Sequence, residues 1–313
     1  MLVLDVSSED LPQKARGTIV LRFVFHTLVY ADVFDYPLTA GEVCRYLTSA
    51  KASLEDVTRT LAGSELFTQT GEYFTLRGRE DIVETRKRRA WVASRLWPKA
   101  ARYGRIIAML PFVRMVAVTG SLAMNNTDEG KDVDFMIVTA PNRLWTGRAL
   151  TLLVARIAKL SRISLCPNYL VTTRALQLNE RSLYVAHELA QMIPLSGMDV
   201  YQEIRHLNDW TNEYLPNASD APELPKGVKQ VERRPFIQRI LETLFTLPFG
   251  NWFEKWEMDR KIERLTREQS SSFESFFSAD VCKGHIDRHA ENVVTALAVR
   301  IADSPSPIGR GQR

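Results

Sequence analysis

Residues 116–138 read VAVTGSLAMNNTDEGKDVDFMIV. Two apolar, β-branched runs enclose a polar spacer. Residues 114–119 (RMVAVT) predict a strand. The run meets Gly120-Ser121, and residues 122–124 (LAM) read as the start of a helix. Residues 125–131 (NNTDEGK) form a polar loop, and Asp132-Val133-Asp134 opens a second strand, DVDFMIVT. Residues two apart in a strand point to the same face. Asp132 and Asp134 therefore present two carboxylates side by side, with Val133 turned into the core. Carboxylates that close repel each other unless a divalent cation sits between them. Gly120 lets backbone approach a ligand closely. Ser121, at a helix N-terminus, would sit where free N–H groups favour phosphate.

An apolar strand, Gly-Ser, a spacer of ten residues (122–131) and Asp-x-Asp opening the next strand together resemble the DNA polymerase β-like nucleotidyltransferase superfamily. The resemblance implies a Mg²⁺- or Mn²⁺-dependent enzyme that moves a nucleoside monophosphate from a triphosphate to an acceptor. Asp132 and Asp134 would hold the metal, and Gly120 and Ser121 would grip the β- and γ-phosphates. The acceptor is left open among a small molecule, a protein side chain and an RNA end. The superfamily also carries a third carboxylate on a later strand. Residues 143–160 read as a crossover helix and 165–171 (LCPNYLV) as the following strand, so the matching slot is Asn168. An amide can ligate through its carbonyl but cannot accept a proton as a base at neutral pH. Three readings follow: the base comes from elsewhere, with Glu188 on the next helix a candidate; the acceptor arrives ionised; or the domain binds nucleotide as a catalytically silent regulatory module.

Upstream, residues 19–32 (IVLRFVFHTLVYAD) are apolar at helical spacing. Residues 39–47 and 53–61 are short helical patterns whose Thr39/Glu42 and Ser53/Asp56 pairs have capping-box spacing. Residues 66–76 read as two strands around Thr70-Gly71. Three helices and a hairpin resemble a winged helix-turn-helix. The helix that would enter DNA carries Glu55 and Asp56 against Arg59, and residues 1–76 hold six basic against ten acidic side chains. Phosphate neutralisation supplies most non-specific DNA affinity, so a protein-contact or packing role is favoured over DNA binding for this unit. Residues 77–105 are the opposite, with ten basic against three acidic side chains, a band suited to a solvated helix face or to a polyanion.

Downstream, residues 183–195 read as one apolar-striped helix carrying His187 and Glu188, and Arg148 on the crossover helix is within conceivable reach of a phosphate. Tyr201, Asn208 and Trp210 lie in further helix that closes the core. Residues 217–227 (NASDAPELPKG) read as a linker, and residues 234–300 as a helical segment. Cys282, His285 and His289, three and four apart, would share one face of a continuous helix and offer a weak zinc motif; packing is the alternative. The tail, 303–313, has the composition of a disordered end.

The chain has 313 residues, 45% hydrophobic and 25% charged, with a net charge of +4. That is ordinary globular composition. No apolar run reaches the length of a membrane span, and acids stand where a secretory signal has bases. Three widely spaced cysteines read as reduced thiols. The expectation is a cytoplasmic α+β protein: a winged-helix-like domain over 1–82, a nucleotidyltransferase core of mixed sheet and flanking helices over 83–216 led by the basic helix, a helical C-terminal domain over 217–302 and the tail.

Overall fold

The computed structural model describes residues 4–5, 13–231, 235–245, 248–268, 276–284 and 289–303. The chain is a mixed α+β protein whose centre is a six-stranded sheet. The N-terminal part comprises β1 (Leu4–Asp5), α1 (Gln13–Asp32), β2 (Leu38–Thr39), α2 (Ala40–Arg45), β3 (Ala50–Lys51), α3 (Leu54–Gly63), β4 (Phe67–Thr70) and β5 (Tyr73–Leu76). Thr39 and Glu42 close a reciprocal capping box at α2, and the Ser53 hydroxyl accepts from Asp56 N–H at α3. β4 and β5 pair around Gly71, whose φ of 64° suits the tight turn. β2 adds to β5, making a three-stranded sheet. Three helices and the hairpin thus appear in the expected order.

The long helix α4 (Ile82–Ala108) leads into β6 (Val113–Thr119), the single turn α5 (Gly120–Ala123), β7 (Val133–Thr139), α6 (Leu144–Leu160) and β8 (Leu165–Thr172). α7 (Leu183–Gln191), β9 (Ile193–Ser196), α8 (Met198–Leu207) and α9 (Thr211–Tyr214) follow. The C-terminal part holds α10 (Pro235–Phe245), α11 (Pro248–Glu268), β10 (Phe276–Phe277), β11 (Val281–Lys283) and α12 (His289–Asp303). The sheet runs β10-β11-β8-β7-β6-β9. Only β7 and β8 are parallel, joined by the crossover α6; the other pairs are antiparallel.

Strand alternation sorts the core into two layers. Val116, Val118, Val133, Phe135 and Ile137 pack with α4 and α6. Met115, Ala117, Met136 and Val138 pack on the other face with α7, α8 and the segment through Trp210. Tyr46, at the C-terminal cap of α2, joins this second layer, so the N-terminal part is seated on the sheet's second face. Asn217 extends this seat, donating to the carbonyls of Cys44 and Ala52.

Three sequence expectations are corrected. Residues 183–195 are not one helix. Pro194 lacks the N–H a helix interior needs, and residues 193–196 form an edge strand on β6, where a proline is tolerated. The C-terminal segment is not wholly helical, because β11 pairs with β8. It is also bound tightly into the core: Glu254 of α11 accepts from the N–H groups of Trp145 and Thr146 and so caps α6. Buried Gln238 donates to Ala108 O at 2.7 Å. Lastly, Cys282 lies on β11, so no continuous helix stacks it with His289. His285 and residues 304–313 of the tail lie outside the described residues.

The basic band resolves into clamps and an exposed remainder. Buried Arg86 donates to Pro37 O and Glu42 and lies 3.9 Å from the Tyr36 ring centroid. Arg79 pairs with Asp32 and Asp35, Lys87 with Glu84, and Arg88 and Arg89 with Asp128. Arg86 therefore fixes α4 to the N-terminal part. Removing one partner of a buried charge pair strands the other. Arg86→Met is expected to lower unfolding stability by about 3 kcal/mol in urea titration, whereas Lys87→Met, at an exposed pair, should leave the midpoint unchanged.

Candidate functional site

The parity that buries Val133 turns Asp134 toward the second face of the sheet, where α7 lies, whereas Asp132 stands before the strand and does not line the cavity on that face. Asp134 is the second residue of β7, paired with Thr119 on β6 and Cys166 on β8. Asp132 precedes the strand and is exposed. Gly120 adopts φ +65°, and a Cβ there would come within 2.7 Å of Asp134 Oδ2. Both the left-handed backbone and the close approach require glycine. Gly120 of the Gly-Ser corner and the second aspartate are thus packed against each other. α5 is a single turn, so the helix-terminus contribution expected at Ser121 shrinks to the local N–H groups of the corner.

Asp134 opens into a cavity of about 470 Å³ between the sheet and the N-terminal part. Gly120, Ser121, Lys131, Asn168 and Glu188 line it with Asp134. The opposite wall comes from Tyr30 of α1, Phe34 in the turn that follows it, Tyr36 and Tyr46. That wall is held by side-chain bonds across the boundary. Tyr36 Oη donates to Met124 O at 2.6 Å, and Arg89 and Asn126 both donate to Phe34 O. Trp97 Nε1 donates to Asn125 Oδ1 at 2.7 Å, fixing the spacer loop from the α4 side.

The electrostatics converge on one spot. Burial, then the neighbouring Asp132 charge, pushes the Asp134 carboxyl up to about 6, while the Cys166 thiol and Lys131 pull the other way. Burial and the two aspartates push Cys166 up to about 12, so its S–H stays a donor to Asp134 rather than a nucleophile. Across the cavity Glu188 is pushed up to about 7, by burial first and then by Asp134, with Lys283 opposing. The residue sequence reading placed in the third slot, Asn168, lines the cavity but sits at a bulge: Phe135 pairs with Pro167 and Met136 with Tyr169. The position directly beside Asp134 on β8 is Cys166. The structure thus brings Glu188, from α7, to the cavity that holds Asp134.

Arg148 faces elsewhere. It hydrogen-bonds Cys282, lies 5.8 Å from the Trp145 ring centroid and is absent from the cavity. His187 stacks on Tyr30, with centroids 4.1 Å apart and planes at 10°, and its Nδ1 is 3.1 Å from Gln191 Nε2. Burial lowers its pKa to about 3. The aromatic wall went unread in the sequence, although a signal existed. Residues 19–31 of α1 are apolar except at Arg22, His26 and Thr27, which marks a stretch buried on more than one side.

Among the described residues no group of three or more His, Cys, Asp or Glu side chains is arranged to hold a metal. The Asp132/Asp134 pair fits an ion that takes one or two carboxylates and completes its shell with water and substrate phosphate, as Mg²⁺ does. Their mutual repulsion is the feature a cation would relieve. No described helix is long and apolar enough to cross a membrane. Comparison with family models, curated proteins and solved structures returns no match to the chain.

His187 and Glu188 give the cavity opposite pH signatures. A histidine depressed from 6.5 to about 3 stabilises the fold above pH 6.5 and loses that contribution as pH falls toward 3. A carboxyl raised from 4.5 to about 7 stabilises below pH 4.5 and loses it as pH rises through 7. His187→Phe, which keeps the stack on Tyr30, should flatten the acid limb of a stability-versus-pH curve. That limb is bounded at about 1.4 kcal/mol per pH unit for one proton. An unchanged limb would show that His187 is not held neutral.

Proposed function

We propose that the chain is a divalent-metal-dependent nucleotidyltransferase that moves a nucleoside monophosphate from a triphosphate to a hydroxyl of an acceptor, releasing pyrophosphate. The observation that carries this reading is the contact of the Gly120-Ser121 corner with Asp134 on a cavity that also presents Glu188. In this reading Asp132 and Asp134 would hold Mg²⁺ or Mn²⁺, which would supply positive charge against the triphosphate oxygens and the leaving group. Ser121 and the backbone N–H groups of the corner grip the β- and γ-phosphates, with Lys131 adding a cation at the cavity edge. Glu188 takes the proton of the acceptor hydroxyl as its oxygen bonds to the α-phosphorus and the bond to the bridging oxygen breaks. A carboxyl near 7 is matched to that task at neutral pH.

The N-terminal part, winged-helix-like in its order of elements, serves here as the acceptor wall rather than a DNA reader. Arg59 on α3 is already paired with Glu55 and Asp56. Tyr30, Phe34, Tyr36 and Tyr46 give an apolar lining with hydroxyl donors, and the cavity volume is in the range of one small ligand.

The test is pyrophosphate release from each of the four nucleoside triphosphates with Mg²⁺ across an acceptor panel. Asp132→Ala and Asp134→Ala are expected to abolish release. Gly120→Ala should do so as well, with the far-ultraviolet circular dichroism retained, because the added Cβ displaces Asp134. Glu188→Gln should lower kcat about 10²- to 10⁴-fold while nucleotide affinity stays within two-fold, roughly the scatter of such measurements. The Asn168 amide favours the regulatory alternative. Nucleotide binding lost in Asp134→Ala, with no release for any acceptor, would replace transfer by that reading.

A further inference from the structure

A second concavity, of about 440 Å³, lies on the other side of the spacer loop, between α4 and the C-terminal end of α6. It is lined by Trp91, Arg95, Lys99, Lys131, Lys159 and Arg162. Trp91, Arg95 and Lys99 are four residues apart and form one stripe along α4. All five bases are exposed, and none is in an ion pair among the described residues. This separates them from Arg79, Arg86, Lys87, Arg88 and Arg89, whose charge is spent on clamps. Two acids, Asp128 and Glu129, also line the concavity, and Asp128 is engaged by Arg88 and Arg89. Of the basic band, unpaired Arg95 and Lys99 line the concavity, joined by Lys131 from the spacer loop and by Lys159 and Arg162 from the end of α6, whereas Arg102 and Arg105 lie outside it. Trp91 is 54% exposed, and the Arg95 guanidinium lies 4.8 Å from its ring centroid.

We propose that this groove binds single-stranded nucleic acid, with the five cations tracking phosphates and Trp91 stacking a base. A basic groove with an exposed aromatic is the combination that holds single strands, because every unpaired base offers a π-face. A duplex hides those faces. A concave lining with Asp128 and Glu129 beside it also suits a threaded chain better than a flat anionic membrane. Lys131 and Asp128 line this groove and the cavity of Asp134 alike. The groove lies at the sheet end where β7 and β8 begin, since Ile163 and Ser164 precede β8 and line it. A bound strand thus passes toward the aspartates; that its end is the acceptor rests on the transfer reading above, whereas binding itself does not.

The experiment is fluorescence anisotropy of the full chain with labelled oligouridylate and oligothymidylate of about twelve nucleotides, a length within the usual span of such grooves. No triphosphate or divalent metal is added, and Asp134→Asn is measured beside the wild type. Binding is expected in both proteins, with log K falling against log salt at a slope of about −3.5, the value for five phosphates on a single strand. Lys99→Ala with Arg162→Ala should make the slope shallower by about 1.4. Trp91→Ala should weaken binding about ten-fold at unchanged slope, and Trp91→Phe should restore most of it. Arg59→Ala on α3 should change nothing. Salt-independent binding, tighter binding of a matched duplex, or equal loss with Arg59→Ala would overturn the proposal. So would capture by phosphatidylglycerol vesicles without oligonucleotide binding. Oligonucleotide binding without pyrophosphate release would leave the groove standing and remove the transfer reading.

Discussion

Val133 is fully buried in the layer with α4 and α6, and that placement decides where Asp134 goes. A strand has two faces, and a residue cannot be moved to the other without slipping the register of all its neighbours. Val133, Phe135 and Ile137 fill one layer, and Met136 and Val138 fill the other. Slipping β7 by one residue would bring Asp134 into the α4–α6 layer and expel three large apolar side chains. The Asp134 carboxylate is therefore held at the mouth of β7 by hydrophobic packing several residues away. Gly120 completes the arrangement, because only a residue without Cβ can turn the chain through φ +65° against Asp134 Oδ2.

The cavity beside the aspartates exists because a second unit is clamped over that face. The clamp is electrostatic and directional rather than broadly apolar. Arg86, Arg89 and Asn126 meet Pro37, Phe34 and Glu42 through bonds to carbonyls and a carboxylate. Arginine suits this work, since its planar fork bonds two acceptors at once and its face stacks on an aromatic ring. Arg86 does both, with Tyr36 beneath it. The same helix changes character along its length. Its first turns are committed to the clamp, and from Trp91 onward it presents unpaired cations and an exposed indole to solvent.

The fold was legible wherever local pattern and tertiary role agree. The strands around residues 116–138, the crossover α6, the capped helices α2 and α3 and the hairpin at Gly71 each carry their own periodicity or turn chemistry. What failed was set by distant partners. The strand β9 follows α7 without a break in apolar pattern, and only its pairing with β6 and the rigid φ of Pro194 define it. Residues 276–283 join the sheet because β8 has an unpaired edge, which no local signal records. The cap on α6 comes from Glu254, more than a hundred residues later. At the site, Asp132, Asp134, Gly120 and Ser121 were readable as a spaced motif. The bulge at Asn168, the thiol of Cys166 against Asp134 and the aromatic wall of the N-terminal part arise only when three parts of the chain meet.

His187 and Glu188 show how one turn of helix is made to serve that meeting point. The two are adjacent in sequence, on a helix whose Ala186, Leu189 and Ala190 are buried in the second layer. Burial acts on both in the same sense, by disfavouring charge. It leaves the imidazole neutral and stacked on Tyr30, and it brings the carboxyl to a pKa of about 7, where it exchanges a proton readily at neutral pH. A charged imidazole there would attract Glu188 and Asp134 and hold both as carboxylates with lowered proton affinity. A neutral one leaves the repulsion between Glu188 and Asp134 intact, and that repulsion is what a proton on Glu188, or a cation between the aspartates, can relieve. The same burial that costs stability at either end of the pH scale thus keeps the cavity responsive to both protons and cations.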